Sequence, residues 1–436
     1  MTRMNEIVDR NDTFIAVTMV DVENRRLDAN RVLHKRSANG DPFTLMEKKL
    51  LRSVLIDTTD VTKTAEIKIA HDEPNRANYE RTNGTFVCSA AGDIDGSGRN
   101  RLIYGVTLDT GICYLLATWH ENGQARSQII AYFADRSVSF IRTISVGDID
   151  NDGRDEIVIG TRPNGNVIIF DWRDGDYEQS VIEHAPFGQG TSNTREVMVA
   201  DVDNDGQLEI VAAIARTDAK KWSSTPGAIF SYKMSDGEWR RRTIDDFEGA
   251  THTRMVALGD PYNCGKNELI CVSVGIYNDA TDTIDRPPAL VLYRVDSDTV
   301  ERQVLCEFDQ WAIKSRAFAV GNVYQRNQPA LICGTRNLDE RGYTELKVFR
   351  FDGVKGWQSE VIDTSLELGF HYVLALDVDG DGVDEIIASD DTKGLIKQYN
   401  RVNGRWNCTT LLEYPNSIFT VSIHPVSLPS DESIFL

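Results

Sequence analysis

Residues 147–160 read GDIDNDGRDEIVIG, an acidic loop that runs directly into a short apolar segment. Carboxylates stand at every second position, at Asp148, Asp150 and Asp152, and Glu156 occupies position 9 of the loop. Hard cations such as Ca²⁺ bind about six to eight oxygens, which these acids and a main-chain carbonyl at position 7 can supply. The flanking residues are β-branched, whereas an EF-hand loop lies between helices. The sequence therefore predicts a strand–loop–strand calcium site, and the alternative is an acidic turn without metal.

The same loop recurs along the chain. It begins again at residues 201 and 377, and a weaker copy begins at residue 93, where Arg101 replaces the final acid. We predict about three structural calcium ions, in the loops that begin at 148, 201 and 377. The candidate ligands, with position 7 contributing its main-chain carbonyl, are Asp148, Asp150, Asp152, Arg154 and Glu156; Asp201, Asp203, Asp205, Gln207 and Glu209; Asp377, Asp379, Asp381, Val383 and Glu385; and, in the weaker copy, Asp93, Asp95 and Ser97.

Two further loops, which begin at Asp260 and Asn322, keep only the frame of the motif. They carry Tyr262 and Tyr324 where the other loops carry their second acid, so we expect side-chain packing to replace the ion there. The six loop starts are 53 to 62 residues apart, a period that suits one four-stranded propeller blade. No segment has a long helical period, so the predicted class is all-β.

These loops and the strands around them resemble FG-GAP/VCBS repeats, the blades of integrin-α-like β-propellers. The resemblance covers roughly residues 80 to 430. It implies a calcium-binding β-propeller. It leaves function open, because propellers of this kind serve as adhesion modules, lectin-like domains, and lyases or dehydratases.

The C-terminal part of the sequence predicts how the ring closes. Ser417 to His424 aligns with the strands that precede the loops, and only a dozen residues follow it. The blade that it begins must be completed by N-terminal strands, which removes the exposed sheet edges of an open ring. We predict seven blades, or eight if the first 40 residues form one of their own. The predicted domains are an N-terminal extension over 1–42 and a propeller over 43–436.

Basic residues recur in the strand before each loop. The innermost strand of a blade lines the central channel, and six residues before the loop start this strand is basic in five of seven cases. At about 3.3 Å per residue, these side chains should lie roughly 20 Å from the calcium loops. The residues predicted to crowd one mouth of the channel are Arg142, Arg195, Arg254, Arg316 and His371, backed by Asn193, His252 and Lys314. The alternative is that each arginine pairs with an acid and is structural.

Two functional classes follow from this basic ring. In the first, the arginines bind a carboxylate, phosphate or enolate-like oxygen, and His371, with His252 or Tyr372, moves protons. This arrangement predicts a lyase, dehydratase or cyclase acting on an anionic or carbonyl-bearing small molecule. In the second class, the same face is a non-catalytic binding surface for a glycan or a protein. A transition-metal site between His252 and His371 across the channel is a further alternative.

Composition restricts the partners and the location. The chain of 436 residues has a formal net charge of −20, which argues against nucleic acid and anionic membranes as partners. No apolar run approaches the roughly 20 residues that span a bilayer. The polar N-terminus and seven cysteines without a Cys-x-x-Cys pair predict a soluble cytoplasmic protein with reduced thiols, or a secreted one if a signal segment has been removed.

Overall fold

The protein is described from a computed structural model. The structure describes residues 13–22, 49–57, 64–67, 84–108, 112–121, 124–134, 138–216, 225–278, 280–308, 312–337, 343–366, 369–414 and 417–427. These ranges hold β-strands and one turn of 3-10 helix, Phe247–Gly249, so the predicted all-β class is confirmed. The seven cysteines are free thiols, and four of them are buried.

Seven four-stranded antiparallel sheets make up the described fold. We number six of them in chain order. Sheet 1 contains β4 (Gly84–Gly92), β5 (Arg101–Leu108), β6 (Cys113–Glu121) and β7 (Gln124–Phe133). Sheet 2 contains β8 (Val138–Gly147), β9 (Glu156–Pro163), β10 (Val167–Arg173) and β11 (Asp176–Glu183). Sheet 3 contains β12 (Ser192–Ala200), β13 (Glu209–Arg216), β14 (Gly227–Ser235) and β15 (Glu238–Asp245).

The next three sheets repeat this order. Sheet 4 contains β16 (Thr253–Gly259), β17 (Glu268–Ser273), β20 (Ala289–Val295) and β21 (Val300–Glu307), with a hairpin of β18 (Ile276–Asn278) and β19 (Thr283–Arg286) between its middle strands. Sheet 5 contains β22 (Ala312–Gly321), β23 (Ala330–Asn337), β24 (Thr344–Asp352) and β25 (Gly356–Ser365). Sheet 6 contains β26 (Phe370–Leu376), β27 (Glu385–Asp390), β28 (Leu395–Val402) and β29 (Arg405–Glu413).

The seventh sheet joins the two ends of the described chain. Its strands are, from the inside outward, β30 (Ser417–Ser427), β1 (Thr13–Val22), β2 (Lys49–Asp57) and β3 (Thr64–Ile67). The strands β4, β8, β12, β16, β22, β26 and β30 contact one another in that order, and β30 contacts β4, so the ring is closed. Closure by N-terminal strands is therefore confirmed.

The segment predicted as an N-terminal extension contributes to the propeller. β1 lies inside residues 1–42 and pairs with both β2 and β30. The predicted boundary between residues 42 and 43 therefore falls between two paired strands of one sheet. Without β1, strand β30 would expose an unpaired edge inside the ring. Seven blades stay the prediction, and an eighth would have to come from residues outside the described ranges.

Each loop of the repeated motif connects the innermost strand of a sheet to its second strand. We name each nine-residue loop motif by its first residue and include as position 9 the first residue of the following strand: loop 93 (93–101), loop 148 (148–156), loop 201 (201–209), loop 260 (260–268), loop 322 (322–330) and loop 377 (377–385). The second strand after each loop is the most apolar part of the sheet. Six consecutive residues of β9, for example, are buried, whereas most of β11 at the outer edge is exposed.

The hydrophobic core lies between adjacent sheets and not within single ones. One cluster joins Ile103 and Leu115 of sheet 1 to Ile144 and Phe170 of sheet 2, and each of these side chains is at most 8% exposed. Burying one such side chain contributes about 1.5–3 kcal/mol to folding. Neighbouring inner strands approach closely at the glycine before a loop: a Cβ on Gly321 would lie 2.4 Å from Ala375 Cβ in the next sheet.

Gly321→Ala is therefore expected to destabilise the protein by about 1–3 kcal/mol, because the added methyl group forces two inner strands apart. The new Cβ would also lie 2.8 Å from a carboxylate oxygen of Asp384. Urea denaturation measures the change. Gly353→Ala is the matched control, since nothing lies within 4 Å of its Cβ position. Equal stabilities for the two variants would contradict this account of the blade contact.

Candidate functional site

The five clearest loops share one backbone frame. Positions 4 and 6 have positive φ: in loop 148 these are Asn151 (62°) and Gly153 (90°), and in loop 377 they are Gly380 (75°) and Gly382 (85°). Glycine and asparagine tolerate this left-handed conformation best, which explains their recurrence at these positions. The frame turns the N–H of position 6 toward the first acid, so that Gly382 N donates to Asp377 Oδ2 at 2.9 Å.

The first, second and last acids converge in three of the loops. Oxygen atoms within 4.8 Å of one another come from Asp148, Asp150 and Glu156; from Asp201, Asp203 and Glu209; and from Asp377, Asp379 and Glu385. In each group one oxygen of the final glutamate accepts a backbone N–H from position 2, at 2.7–2.9 Å. The backbone therefore fixes these carboxylates before any ion binds.

Loops 148 and 377 fit a divalent cation. Oδ1 of Asp148 and Oδ1 of Asp377 are buried, and neither has a hydrogen-bond partner among the residues that the structure describes. A buried carboxylate oxygen without a partner destabilises the fold unless a cation or a proton compensates it. Burial and the neighbouring carboxylates raise the pKa of Glu156 to about 8 and that of Glu385 to about 7. Each site would thus gain from an added positive charge, and its all-oxygen donor set is the kind that Ca²⁺ prefers.

Loop 201 differs, because a side chain from the third strand reaches into it. Nζ of Lys233, on β14, lies 2.7 Å from Asp203 Oδ2, 2.6 Å from Asp205 Oδ2 and 2.8 Å from Glu209 Oε1. Loop 201 was predicted from its acids alone to bind calcium like the other two. The lysine was missed because it lies 28 residues after Asp205 in the sequence.

The remaining loops contain cations or aromatic rings of the protein itself. Arg101 pairs with Asp95 in loop 93, and its guanidinium lies 4.0 Å from the ring centre of Trp119. Both oxygens of Asp93 accept backbone N–H groups, from Ser97 and from position 6. The weaker copy thus pairs its acid with an arginine, and calcium there stays an untested prediction.

In loops 260 and 322, tyrosines occupy the position of the second acid. Tyr262 packs edge-on against Phe351 and Trp357 of sheet 5, with ring centres 4.7 and 5.5 Å away. Tyr324 packs against Trp406 of sheet 6 at 5.9 Å. These contacts are the side-chain packing expected from the sequence, and they join neighbouring sheets.

The acids at position 5 lie outside the three compact groups. Asp152 pairs with Arg154, and its Oδ1 also accepts the N–H of Arg154 at 2.9 Å. Asp205 and Asp381 accept the N–H of Gln207 and Val383 in the same way, at 3.0 and 2.7 Å. Ligation by these acids and by the position 7 carbonyls stays a prediction.

Loops of neighbouring sheets are tied together by hydrogen bonds. Asp155 of loop 148 accepts the N–H of Asp93 at 2.8 Å and returns its own N–H to Asp93 O at 2.9 Å. Asp384 of loop 377 makes the same pair of bonds to Asn322, at 2.6 and 3.2 Å. Because the loops lie at contacts between sheets, a cation that stiffens a loop would also stiffen the ring.

The predicted basic ring coincides with irregularities in the innermost strands. Arg142, Arg195 and Arg316 are each the extra residue of a β-bulge, and Arg254 and His371 lie in two-residue register shifts. A bulge redirects side chains and interrupts their alternation along the strand. A count of residues back from the loop therefore does not determine the direction in which these side chains point. Bulges are frequent beside active sites.

Arg195 is the most informative member of this ring. Its Nε is buried and has no hydrogen-bond partner within the described part of the chain. In the amide orientation that satisfies hydrogen bonding, Asn193 Oδ1 accepts from Arg195 Nη1 at 2.9 Å. Burial and the positive charge of Arg162 lower the pKa of Arg195 to about 10. Among the described residues, no carboxylate contributes to this shift in pKa, and pairing of Arg195 with an acid, the structural alternative, stays untested.

The other residues of the predicted basic ring differ in their surroundings. The Arg142 guanidinium lies 5.9 Å from the ring centre of Phe140, and Arg254 is half-buried. His252 is buried, and its Nδ1 lies 2.9 Å from Thr225 O. Arg316 and Lys314 lie on β22, but their side chains fall outside the described residues.

His371 lies opposite a buried carboxylate that sequence reasoning missed. Its Nδ1 is 2.8 Å from Asp391 Oδ2, and the two side chains are 4% and 1% exposed. Tyr414 Oη donates to Asp391 Oδ1 at 3.0 Å. Tyr372, also predicted to be catalytic, packs edge-on against His371, with ring centres 5.2 Å apart. Asp391 lies 20 residues after His371, in the turn beyond β27, and no motif marks it.

Glu196, beside Arg195 on β12, predicts a dependence of stability on pH. Burial raises its pKa to about 8, although Thr143 Oγ1 donates to it at 2.8 Å. The folded state therefore holds this proton more tightly than the unfolded state. The stabilisation is complete below the ordinary pKa of 4.5 and is lost as the pH rises to about 8.

Glu196→Gln should stabilise the protein at pH 9 by about 1–3 kcal/mol. Urea melts at pH 5 and pH 9, with exposed Glu178→Gln as control, measure this effect, and equal responses would contradict it.

The motif and the ring together identify the repeat. The profile of the FG-GAP-like repeat matches residues 148–212, which span two consecutive loops and the sheet between them. Residues 148–212 of this propeller therefore form an FG-GAP-like repeat. No curated relative matches this propeller by sequence.

Solved structures resemble the FG-GAP propeller in fold. A putative 6-phosphogluconolactonase from Bacteroides fragilis is 10% identical, with a TM-score of 0.51 over 97% of this chain and 99% of that one. A second, from Bacteroides uniformis, is also 10% identical, with a TM-score of 0.51 over 95% and 100% of the two chains. A protein from Lactobacillus plantarum is 11% identical, with a TM-score of 0.53 over 94% and 98%. At these identities the likeness concerns the fold alone. Within the described ranges, no helix of the FG-GAP propeller has the length and hydrophobicity to span a bilayer.

Proposed function

We propose that this propeller is an enzyme whose active site lies at the bulged positions of the innermost strands. Its substrate is a small molecule with an anionic group and a carbonyl. The arginines bind the anion, and His371 transfers a proton. The observation that carries the proposal is the uncompensated guanidinium of Arg195.

The charge at Arg195 argues for an anionic ligand. Arginine presents parallel N–H donors that suit a carboxylate or phosphate. In an acidic protein, a half-buried arginine whose one resolved charged neighbour is Arg162 is unfavourable unless an anion binds there. Asn193 Oδ1 accepts from Nη1 and so helps to fix the guanidinium. The bulge at Arg195 supports the same role, since it redirects this side chain out of the strand's alternation.

The pair of His371 and Asp391 supplies a group suited to proton transfer. A carboxylate beside one imidazole nitrogen selects the tautomer and stabilises the imidazolium that forms when the ring takes a proton. Asp391 is held in turn by the hydroxyl of Tyr414. His371 is thus the general base of the proposal, and Asp391 and Tyr414 are positioning residues.

Two kinds of reaction use this arrangement. In elimination, His371 removes a proton from the carbon next to the carbonyl, the arginines stabilise the enolate-like oxygen, and a substituent on the adjacent carbon leaves with its bonding electrons as the C=C bond forms. In cyclisation, the same enolate-like carbon instead attacks an electrophilic carbon of the substrate and closes the ring. In opening of a lactone, His371 takes a proton from water as the water attacks the carbonyl carbon, and the ring C–O bond then breaks as His371 returns that proton to the departing ring oxygen. The putative gluconolactonases among the structural neighbours favour testing the lactone opening.

We also propose that calcium is a structural cofactor of loops 148 and 377. When bound, it supplies positive charge to the carboxylates that the backbone already holds. The ring of basic residues and these loops lie at different points of the inner strands, so the ion stabilises the blades and takes no part in the chemistry. A cytoplasmic location and the absence of a nucleic-acid partner stay predictions.

Arg195→Gln tests the anion site. Phosphate and citrate should raise the melting temperature of the wild type, and Arg195→Gln should lose this response without losing stability, because it removes an uncompensated charge. Arg240→Gln, at an exposed surface pair, is the matched control and should respond like the wild type. Incubation of the same proteins with aldonolactones and sugar acids, analysed for ring-opened and unsaturated products, distinguishes the two reactions.

A different result would contradict the anion site at Arg195. If no anion alters the wild-type melt and Arg195→Gln loses several kcal/mol of stability, Arg195 is structural. The non-catalytic glycan- or protein-binding module would then be the better account of this face.

A further inference from the structure

One position on the third strand distinguishes the acidic loops from one another. In sheet 3, Ile210, the residue after the final glutamate of loop 201, pairs with Tyr232, and Lys233 follows. In sheet 2, Ile157 pairs with Phe170, so the corresponding residue is Asp171. In sheet 6, Ile386 pairs with Tyr399, so it is Asn400. The three loops with complete acidic motifs therefore differ in the one side chain that the third strand adds.

The type of this side chain agrees with the state of the carboxylates. Asp171 and Asn400 carry oxygen atoms, and in these two sheets Asp148 Oδ1 and Asp377 Oδ1 are buried and accept no hydrogen bond from the described residues. Glu209 Oε1 in sheet 3 likewise accepts no well-aligned hydrogen bond, but it lies 2.8 Å from Lys233 Nζ. Lys233 carries an ammonium, and this ammonium lies within 2.8 Å of three different carboxylates of loop 201. Three contacts of that length from one nitrogen mean that Nζ lies between the acids.

In sheet 4, an arginine occupies the third-strand position that Lys233 occupies in sheet 3. Leu269, after the final glutamate of loop 260, pairs with Tyr293, and the next residue is Arg294. Its Nη2 lies 2.8 Å from Oε1 of Glu268, which is 1% exposed. A cationic third-strand residue thus compensates the final glutamate in two consecutive sheets.

We propose that Lys233 is a built-in cation that occupies the calcium position of loop 201, so that this loop binds no metal. The inference rests on the proposed calcium sites of loops 148 and 377, and it reduces the predicted number of ions from about three to two. A tethered ammonium needs no ion from solution. It also opposes entry of Ca²⁺, because two like charges within about 4 Å repel each other strongly in a partly buried site.

Hydrogen bonds from the ammonium of Lys233 to Asp203 and Asp205 hold it in this position. The guanidinium of Arg173, near loop 148, does not lie between the acids as the ammonium of Lys233 does. Arg173 is 55% exposed and lies 3.8 Å from Asp150, so it approaches the loop from the solvent side. It leaves Asp148 Oδ1 without a partner.

The test counts calcium ions per chain by equilibrium dialysis and elemental analysis. The wild type should hold two ions. Asp148→Asn and Asp377→Asn should each lower the count by one, whereas Asp203→Asn should leave it unchanged. Lys233→Asn, which copies Asn400 of sheet 6, should hold three ions, and its melting temperature should rise with calcium more than that of the wild type.

The outcomes separate this inference from the calcium proposal itself. Loss of an ion from Asp203→Asn would overturn the inference and leave calcium at loops 148 and 377 intact. So would a folded Lys233→Asn protein that gains no ion. Unchanged counts for Asp148→Asn and Asp377→Asn would contradict the calcium proposal instead. If Lys233→Asn does not fold, the comparison of Asp203→Asn with the wild type decides.

Discussion

Chelation of calcium with EGTA is expected to lower the melting temperature by about 5–10 °C. A ligand present at about 1,000 times its dissociation constant stabilises the folded state by about 4 kcal/mol per site, so loops 148 and 377 together contribute about 8 kcal/mol. Removing the ions also leaves Asp148 Oδ1 and Asp377 Oδ1 buried without compensation. Calorimetry of the protein with calcium and with EGTA measures the shift.

The Asp148→Asn and Asp377→Asn double variant is the control for this experiment. It should melt near the temperature of the chelated wild type and should respond to neither calcium nor EGTA. Magnesium should restore little stability, because it requires a near-octahedral shell and dehydrates reluctantly. A wild-type protein with the same melting temperature in calcium and in EGTA would rule out structural calcium.

Asp391→Asn is expected to lower turnover by about 10²–10⁴-fold while sparing substrate binding and most of the stability. The amide oxygen can still accept from Tyr414, so the turn beyond β27 keeps its shape. The negative charge opposite Nδ1 of His371 is lost, and with it the preference for the tautomer that accepts a proton. Steady-state kinetics on a lactone or sugar acid that the wild type converts give kcat and KM separately.

The adjacent Asp390 provides a contrast within the same turn. Asp390 is fully buried, lies 3.0 Å from Lys397 Nζ and accepts from Ser365 Oγ at 2.7 Å. Asp390→Asn should therefore lower stability and leave turnover per folded molecule unchanged. A similar loss of stability in Asp391→Asn, with unaltered kcat, would make the pair of His371 and Asp391 a structural brace.

The fold was largely predictable because its information is local and repeated. Each loop carries its own acids, glycines and flanking strand residues, so one copy such as loop 148 indicates the rest through spacing alone. The closing strand β30 was predictable because an innermost strand without partners would leave an open edge. The second strand of that sheet, β1, was assigned to an extension because no loop precedes it to mark the repeat.

The candidate site was only partly predictable, because its decisive contacts join distant segments. The bulges that redirect Arg142 and Arg195 depend on pairing with β9 and β13, which alternation along one strand does not encode. Lys233 and Asp391 act through space on residues of other strands. No motif spacing connects either of them to its partner.

The pairing of β1 with β30 also has a consequence for synthesis. Phe14 lies opposite Val426, so about 400 residues separate the two strands of this pair in the chain. At about 5–20 residues per second, a ribosome needs roughly 20–80 s to make that interval. During this time β1, β2 and β3 can pair with one another, but the edge of β1 that pairs with β30 stays available to other chains. Nascent propeller therefore passes through an aggregation-prone interval whose length is determined by translation and not by the intrinsic folding rate.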